Sequence, residues 1–230
     1  MADASGTYNY SPSLADFVLY AFGKCGIRRT AVVQEHMADA RMAANLVLAE
    51  WSNRGVNLWN VALESVSTVQ GQIAYSVPAN TAMVLDIYLT VSPATSNAED
   101  IILTSISRTD YASIPNKTQQ GRPTTFWYDR LVSSTINLWQ SPDAGPYTLN
   151  YYIVSQNQDA VLPNGTGPGI PLQWFKAFSD ALGAELSTIY APEKTQLLQT
   201  AAERSWQLAA EFGTENAPMY INPGLSGYYR

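Results

Sequence analysis

The hydrophobic period of this 230-residue chain switches twice, from helical to strand-like and back to helical. Apolar residues three or four apart mark one face of a helix, whereas strict alternation marks a half-buried strand. Near the start, Ser13 stands as an N-cap before Leu14, Phe17, Val18 and Phe22, and Gly23 and Gly26 close the segment. A longer helix is expected over 30–53, stopped by Gly55. Val33, Met37, Ala40, Ala44, Val47 and Trp51 form its main stripe, and Ala38, Met42 and Ala49 a second one off that face. Small residues on a second face admit a close neighbour, inside the same domain or in another subunit.

Between Trp59 and Val154 the pattern is β. Seven strands are expected, at 61–68, 73–77, 83–91, 101–106, 124–129, 135–139 and 147–154. Gln70-Gly71 reads as a hairpin-like turn between the first two, and Pro, Gly, Ser and Asn clusters divide the others. So many short strands in so few residues predict a sandwich or a barrel-like module. A polar, Pro/Gly-rich connection follows, and Pro171 opens a helix. Phe175, Phe178, Leu182, Leu186 and Ile189 make one face of it, and Trp174, Ala177, Ala181, Ala184 and Thr188 another. Pro192 opens a last helix, with Leu198, Ala201, Ser205, Leu208 and Phe212 expected to face inward.

The fold class is therefore α+β: N- and C-terminal helices form one helical domain, with an antiparallel β-sandwich or barrel-like module inserted between them. The expected divisions are 1–55 for the first helices, 56–155 for the β module, 156–213 for the linker and last helices, and 214–230 for an extended tail. Met219, Tyr220, Ile221, Leu225, Tyr228 and Tyr229, with the terminal Arg230, make that tail too apolar for a merely solvated end. They are candidate contact residues for a neighbour, the alternative being a tail that wraps its own subunit.

Charge and composition narrow the chemistry. Thirteen basic against nineteen acidic residues give a net charge of −6, which argues against a protein that wraps nucleic acid on a broadly basic surface. The balance is five against five in 1–54, four against eight in 55–170 and four against six in 171–230, so the β module carries most of the acidity. No apolar run reaches the roughly 18 residues of a membrane span, and the opening residues lack the basic and apolar regions of a secretion signal. One cysteine and one histidine, Cys25 and His36, leave no internal disulfide and few metal-site options. No metal or other cofactor is expected. His36 lies inside a helical pattern with no nucleophile elbow nearby, and reads as a surface or boundary residue. Arg28 and Arg29 after Cys25 could lower the pKa of its thiol, but without a partner base Cys25 reads as a structural or incidental thiol rather than a nucleophile. The Gly165–Gly169 run has no following Gly-Lys-Ser/Thr, and reads as linker. Glu99/Asp100, Asp129 and Asp143 are carboxylates that a glycoside hydrolase could pair across a sugar bond, but any acidic chain supplies such pairs and loop solvation is the better reading.

The most distinctive stretch is residues 107–130, SRTDYASIPNKTQQGRPTTFWYDR. A short helical turn carrying Arg108, Asp110 and Tyr111 is expected to end before Pro115. A polar loop then leads through Arg122-Pro123 into a strand ending at Asp129. Arg108, Asp110, Arg122 and Asp129 are close enough in sequence to suit an Arg–carboxylate network that holds the box together. This box resembles the head-to-tail adaptor family of short-tailed bacteriophages, also called tail tubular protein A or packaged-DNA stabilisation protein. Gly71-Gln72, Tyr75, Pro78, Ala191-Pro192-Glu193-Lys194, Trp206 and the Pro/Gly/Tyr-rich end with its last Arg add to the resemblance, which covers roughly 55–230.

The resemblance implies a helical domain with an inserted β-rich domain, and a ring, usually of twelve copies, beneath the portal and above the tail nozzle. It implies the portal protein, the tail nozzle protein and further copies of the chain as partners. DNA would pass through the lumen without sequence-specific binding. The setting would be the virion connector, with the host cytoplasm during assembly, and no membrane. It carries no catalytic residue to any position here, and it makes the tail residues candidates for portal or subunit contacts. Two other classes compete: a virion-associated peptidoglycan hydrolase using a carboxylate pair, and a carbohydrate- or host-surface-binding β module.

Overall fold

Helix α1 (Leu14–Cys25) starts at a capping box: the Asp16 amide donates to Ser13 Oγ at 3.3 Å and the Ser13 amide donates to the Asp16 carboxylate at 3.0 Å. Two donors that a helix start leaves unpaired are thereby satisfied. The helix stops at Gly26, whose φ of 95° lies in the left-handed region. The computed structural model describes residues 9–55, 58–94, 98–162 and 167–212. The expected tail over 214–230, with Met219, Tyr220, Ile221, Leu225, Tyr228, Tyr229 and Arg230, lies outside the described residues, as do Gly165 and Thr166 of the glycine-rich run.

Helix α2 (Gln34–Arg54) begins at Gln34 rather than Thr30, because a 3-10 turn at Arg29–Ala31 comes first. The Val33 amide donates to His36 Nδ1 at 3.3 Å, so the only histidine acts as a local cap. Val33 thus sits at an exposed helix start and not on the buried stripe. The buried face is Ala40, Ala43, Ala44, Val47, Leu48 and Trp51.

Helix α3 (Arg108–Ser113) belongs to the β module and is described below. Helix α4 (Phe175–Tyr190) follows Pro171 through a 3-10 turn at Leu172–Trp174. Ala177, Phe178, Leu182, Gly183, Ala184 and Leu186 are all buried, and so are the polar Ser179, Asp180 and Ser187. It lies against α1, α2 and α5 (Thr195–Phe212). α5 turns Ser205 and Ala209 inward and leaves Leu208 and Phe212 in solvent, which corrects their expected placement. Residues 205 and 209 share one face, and a step of three from either rotates the side chain toward the rim. Ile189, expected on the apolar face of α4, is also exposed.

The inserted module is a sandwich of two four-stranded sheets. In one, β1 (Val61–Ser67) pairs with β10 (Tyr147–Ser155), β10 with β3 (Thr81–Val91), and β3 with β4 (Glu99–Ile102), all antiparallel. The other runs β2 (Ala74–Ser76), β8 (Thr135–Trp139), β7 (Thr125–Asp129) and β5 (Thr104–Ser105). Only its β5–β7 pair is parallel, as is the small β6 (Gln120–Gly121) and β9 (Ser141–Pro142) pair. Ile87, Leu89, Leu149, Tyr151 and Ile153 from the first sheet meet Tyr75, Phe126, Ile136 and Leu138 from the second in one core. The alternation along β10 supplies three of these, as expected of a strand with one buried face.

Two connections differ from the expected ones. Gln70-Gly71 does turn, with Gly71 at a φ of 75°, but β1 and β2 lie in different sheets and form no hairpin. The expected strand over 101–106 is two strands. The Leu103 amide donates to Ile87 O in one sheet at 2.9 Å, and the next amide, of Thr104, donates to Thr124 O at the edge of the other at 3.1 Å. Burying Leu103 between the sheets drives this crossing.

Among the described residues no helix is long and apolar enough to cross a membrane. The helices and the sandwich have separate buried clusters, and that separation is testable. Leu182→Ala in the first and Leu138→Ala in the second should each cost about 2–5 kcal/mol in urea unfolding. The double variant should show the sum of the two losses within about 0.5 kcal/mol, because the residues share no cluster.

Candidate functional site

Asp180 is a carboxylate on the buried side of a core helix, an unfavourable place for a charge unless it is matched. Its side chain is only 8% exposed, and both oxygens are paired. Lys24 of α1 donates to Oδ1 and Lys176, one turn back on α4, to Oδ2, each at 2.6 Å. Lys24 also donates to Ser179 Oγ at 2.6 Å. Burial works to raise the pKa of Asp180, but the two ammonium groups outweigh it and hold the carboxyl below its usual range. Burial pulls Lys24 below the ordinary lysine range, with the Asp180 carboxylate opposing it. Gly183 gives the lysine stem its path, since a Cβ there would lie 3.1 Å from Lys24 Cδ. These charges line an open cleft of about 740 Å³ together with Tyr10, Phe17, Tyr20, Arg29 and Phe175. The i,i+4 pair of Lys176 and Asp180 was visible in the sequence. Lys24, 156 residues from its partner, was not.

Among the described residues, large apolar side chains on α2 and α5 are exposed on the outside of the helical domain. Met42, 64% exposed, and Leu46 lie four residues apart on α2. Leu197, Leu208 and Phe212, the last 73% exposed, lie along α5. Both helices rest on α4, yet each turns these residues away from it. Clustered exposure of large apolar groups marks surfaces that bind something.

The 107–130 box is organised by backbone and aromatic contacts. Ser107 caps α3: the Asp110 amide donates to Ser107 Oγ at 3.1 Å, and that hydroxyl donates to the Asp110 carboxylate at 2.6 Å. Tyr111 is buried, its ring 5.3 Å from that of Trp127 on β7. Trp139 Nε1 donates to Asn116 O at 3.1 Å, and Lys117 donates to the carbonyls of Ala112 and Ile114. The expected ionic network does not form. Among the described residues no ion pair includes Arg108, Asp110, Arg122 or Asp129. Arg108, Asp110 and Arg122 are exposed and Asp129 is half-buried, so water competes for their charges and pairing offers little.

The other candidates also take structural places. Cys25 is buried and its thiol donates to Gly183 O at 3.6 Å. Burial raises its pKa against the pull of Lys194 and Lys24, and Arg28 and Arg29 do not lower it. His36 stacks on Tyr190 at 4.9 Å. The Tyr190 hydroxyl donates to Asp39, and this bond pushes the phenol up to about 12. Asp100 on β4 accepts from the Thr90 hydroxyl at 2.5 Å, and Asp143 accepts from the Gly145 amide at 2.9 Å. Glu99 and Asp100 are strand neighbours whose side chains diverge to opposite faces, and Asp129 belongs to the other sheet. Among the described residues no group of three or more His, Cys, Asp and Glu could hold a metal ion. No family model and no curated protein matches the chain.

The buried Asp180 and its two lysines predict an asymmetry. Asp180→Ala strands Lys24 against Ser179 and should cost about 3 kcal/mol in chemical denaturation. Lys24→Met should cost less, because Lys176 still neutralises the carboxylate. The pH dependence has a definite sign. The folded carboxyl titrates below the ordinary 3.8, so the unfolded chain takes up the proton first as pH falls. Asp180's contribution is whole above that unfolded value and is lost as pH drops through the folded one. Unfolding curves from about pH 5 to about pH 2 should therefore show a shallower acid limb for Asp180→Asn than for the parent chain.

Proposed function

We propose that the chain is a structural head-to-tail adaptor of a short-tailed phage virion, assembling as a ring between the portal and the tail nozzle. The observation that carries this reading is the pair of exposed apolar stripes, one on α2 and one on α5. A closed ring is built from heterologous contacts, in which one face of each copy meets a different face of the next. A single self-complementary patch would give a two-fold dimer instead. Two separate apolar surfaces on the helices suit the ring, and the packing of Met42 and Leu46 against Leu208 and Phe212 is the lateral contact we assign. The 107–130 box and the insertion of a β-sandwich into a helical domain support the same family reading.

In this reading the partners are the portal protein, the tail nozzle protein and other copies of the chain, twelve in the full ring. The lumen extends the DNA channel and helps retain and pass DNA without reading its sequence. The protein works in the virion connector after assembly in the host cytoplasm. Residues 214–230 supply the portal contact, through Met219, Tyr220, Ile221, Leu225, Tyr228, Tyr229 and Arg230.

Light scattering of the purified chain with and without the cognate portal tests this. The chain alone should be monomeric at micromolar concentration and should add a ring's mass when portal is present. Met42→Glu or Leu208→Glu should abolish the ring and leave the melting temperature unchanged, since both residues are exposed. Deleting 215–230 should abolish portal binding with the same thermal stability. A mixture that stays monomeric, or a Leu208→Glu chain that still forms rings, would overturn the reading.

A further inference from the structure

Cations gather where α1 ends. Lys24 lies in its last turn, Arg28 and Arg29 follow it, and Lys176 reaches the same cleft from α4. Lys194 comes in from the turn before α5 and donates to the Cys25 carbonyl at 3.3 Å. Five of the chain's 13 basic residues thus share one corner with three acids, Asp16, Asp180 and Glu193. The corner carries an excess of two positive charges, and the remainder of this −6 protein an excess of eight negative ones.

The carbonyls at the end of α1 attract nearby cations, and Lys24 and Lys194 are engaged in the fold. Arg28 and Arg29 are not: both are exposed, and neither belongs to an ion pair among the described residues. Beside them the cleft exposes two flat rings, Tyr10 at 73% and Tyr20 at 57%. Phe175 props Tyr10 edge-on at 6.5 Å, and the Lys24 ammonium lies 4.7 Å from the centre of the Tyr20 ring.

We propose that this cleft binds single-stranded nucleic acid, with phosphates held by Arg28 and Arg29 and unpaired bases stacked on Tyr10 and Tyr20. Cations flanked by accessible aromatic faces are what a single strand needs, because every base has a flat face to stack and every link a negative charge. A duplex hides its base faces, and an acidic peptide would use the cations and leave the rings idle. At about 740 Å³ the cleft is within the size range of small-ligand sites. The inference is independent of the adaptor reading, since one chain in solution carries the whole cleft.

Fluorescence anisotropy of the full-length chain with a labelled oligothymidylate of about 10 nucleotides tests it at low salt. Two phosphate contacts predict a slope of about −1.4 in log affinity against log salt. Arg28→Glu/Arg29→Glu should weaken binding at least tenfold with unchanged thermal unfolding, both residues being exposed. Tyr20→Ala and Tyr10→Ala should each weaken oligothymidylate about tenfold and leave the affinity for inorganic polyphosphate unaltered. No binding at low salt, indifference to the charge reversal, tighter binding of a duplex of equal length, or equal loss of polyphosphate in both tyrosine variants would overturn the proposal.

Discussion

The helical domain hangs on the burial of α4. This helix is enclosed by α1, α2 and α5, so nearly every position facing a neighbour must be small, apolar or matched. Asp180 is the place where that demand meets a charge. Its two lysine partners satisfy it from α1 and from α4 itself, tying the first helix of the chain to one that begins about 150 residues later. Removing Asp180 would leave Lys24 part-buried and unmatched, which is why the pair fixes how α1 sits on α4.

The same helix anchors the β-sandwich. Trp174, just before α4, contacts Trp51 of α2 at 5.1 Å, Trp206 of α5 at 6.4 Å and Trp59, where the chain enters the sandwich, at 5.0 Å. On the way back, Asn157 accepts from the Asn60 side chain at 2.6 Å and donates to the Leu48 carbonyl at 3.2 Å. Asn45 accepts from the Ala160 amide at 2.9 Å. The two crossing strands of chain are therefore pinned to α2 by amide side chains and to the helical core by indole rings. An insertion held at both of its ends keeps a defined attachment even though the two hydrophobic clusters are separate.

Because α4 absorbs the inward faces of its neighbours, their outward faces are left to other uses. On α2 and α5 those faces set exposed Met42, Leu46, Leu208 and Phe212 among polar side chains. At the end of α1 the outward residues are cationic and lie beside two tyrosines. The surfaces are distinct in chemistry and in location, so a charge reversal at Arg28 and Arg29 and an apolar-to-acid change at Leu208 probe different properties of one molecule.

Local pattern was enough for much of the architecture. The Ser13 cap, the Gly26 and Gly55 stops, the alternation along β10 and the α+β division all follow from nearest-neighbour sterics and from period, which act within a few residues. Which strands pair is a different kind of fact. β1 and β2 flank a turn yet join different sheets, and the 101–106 segment splits at Leu103, because burial between two sheets outweighs local continuity. The facing of α5 was misjudged at Leu208 and Phe212 since a face is buried only where a partner helix lies. The box of Arg108, Asp110, Arg122 and Asp129 was recognisable as a distinctive segment, but proximity in sequence did not bring its charges together out of water. The Lys24–Asp180–Lys176 trio and the cationic corner were hidden for a converse reason. Net charge and local spacing average over the chain, and only the packing of α1 on α4 gathers charges that sequence holds far apart.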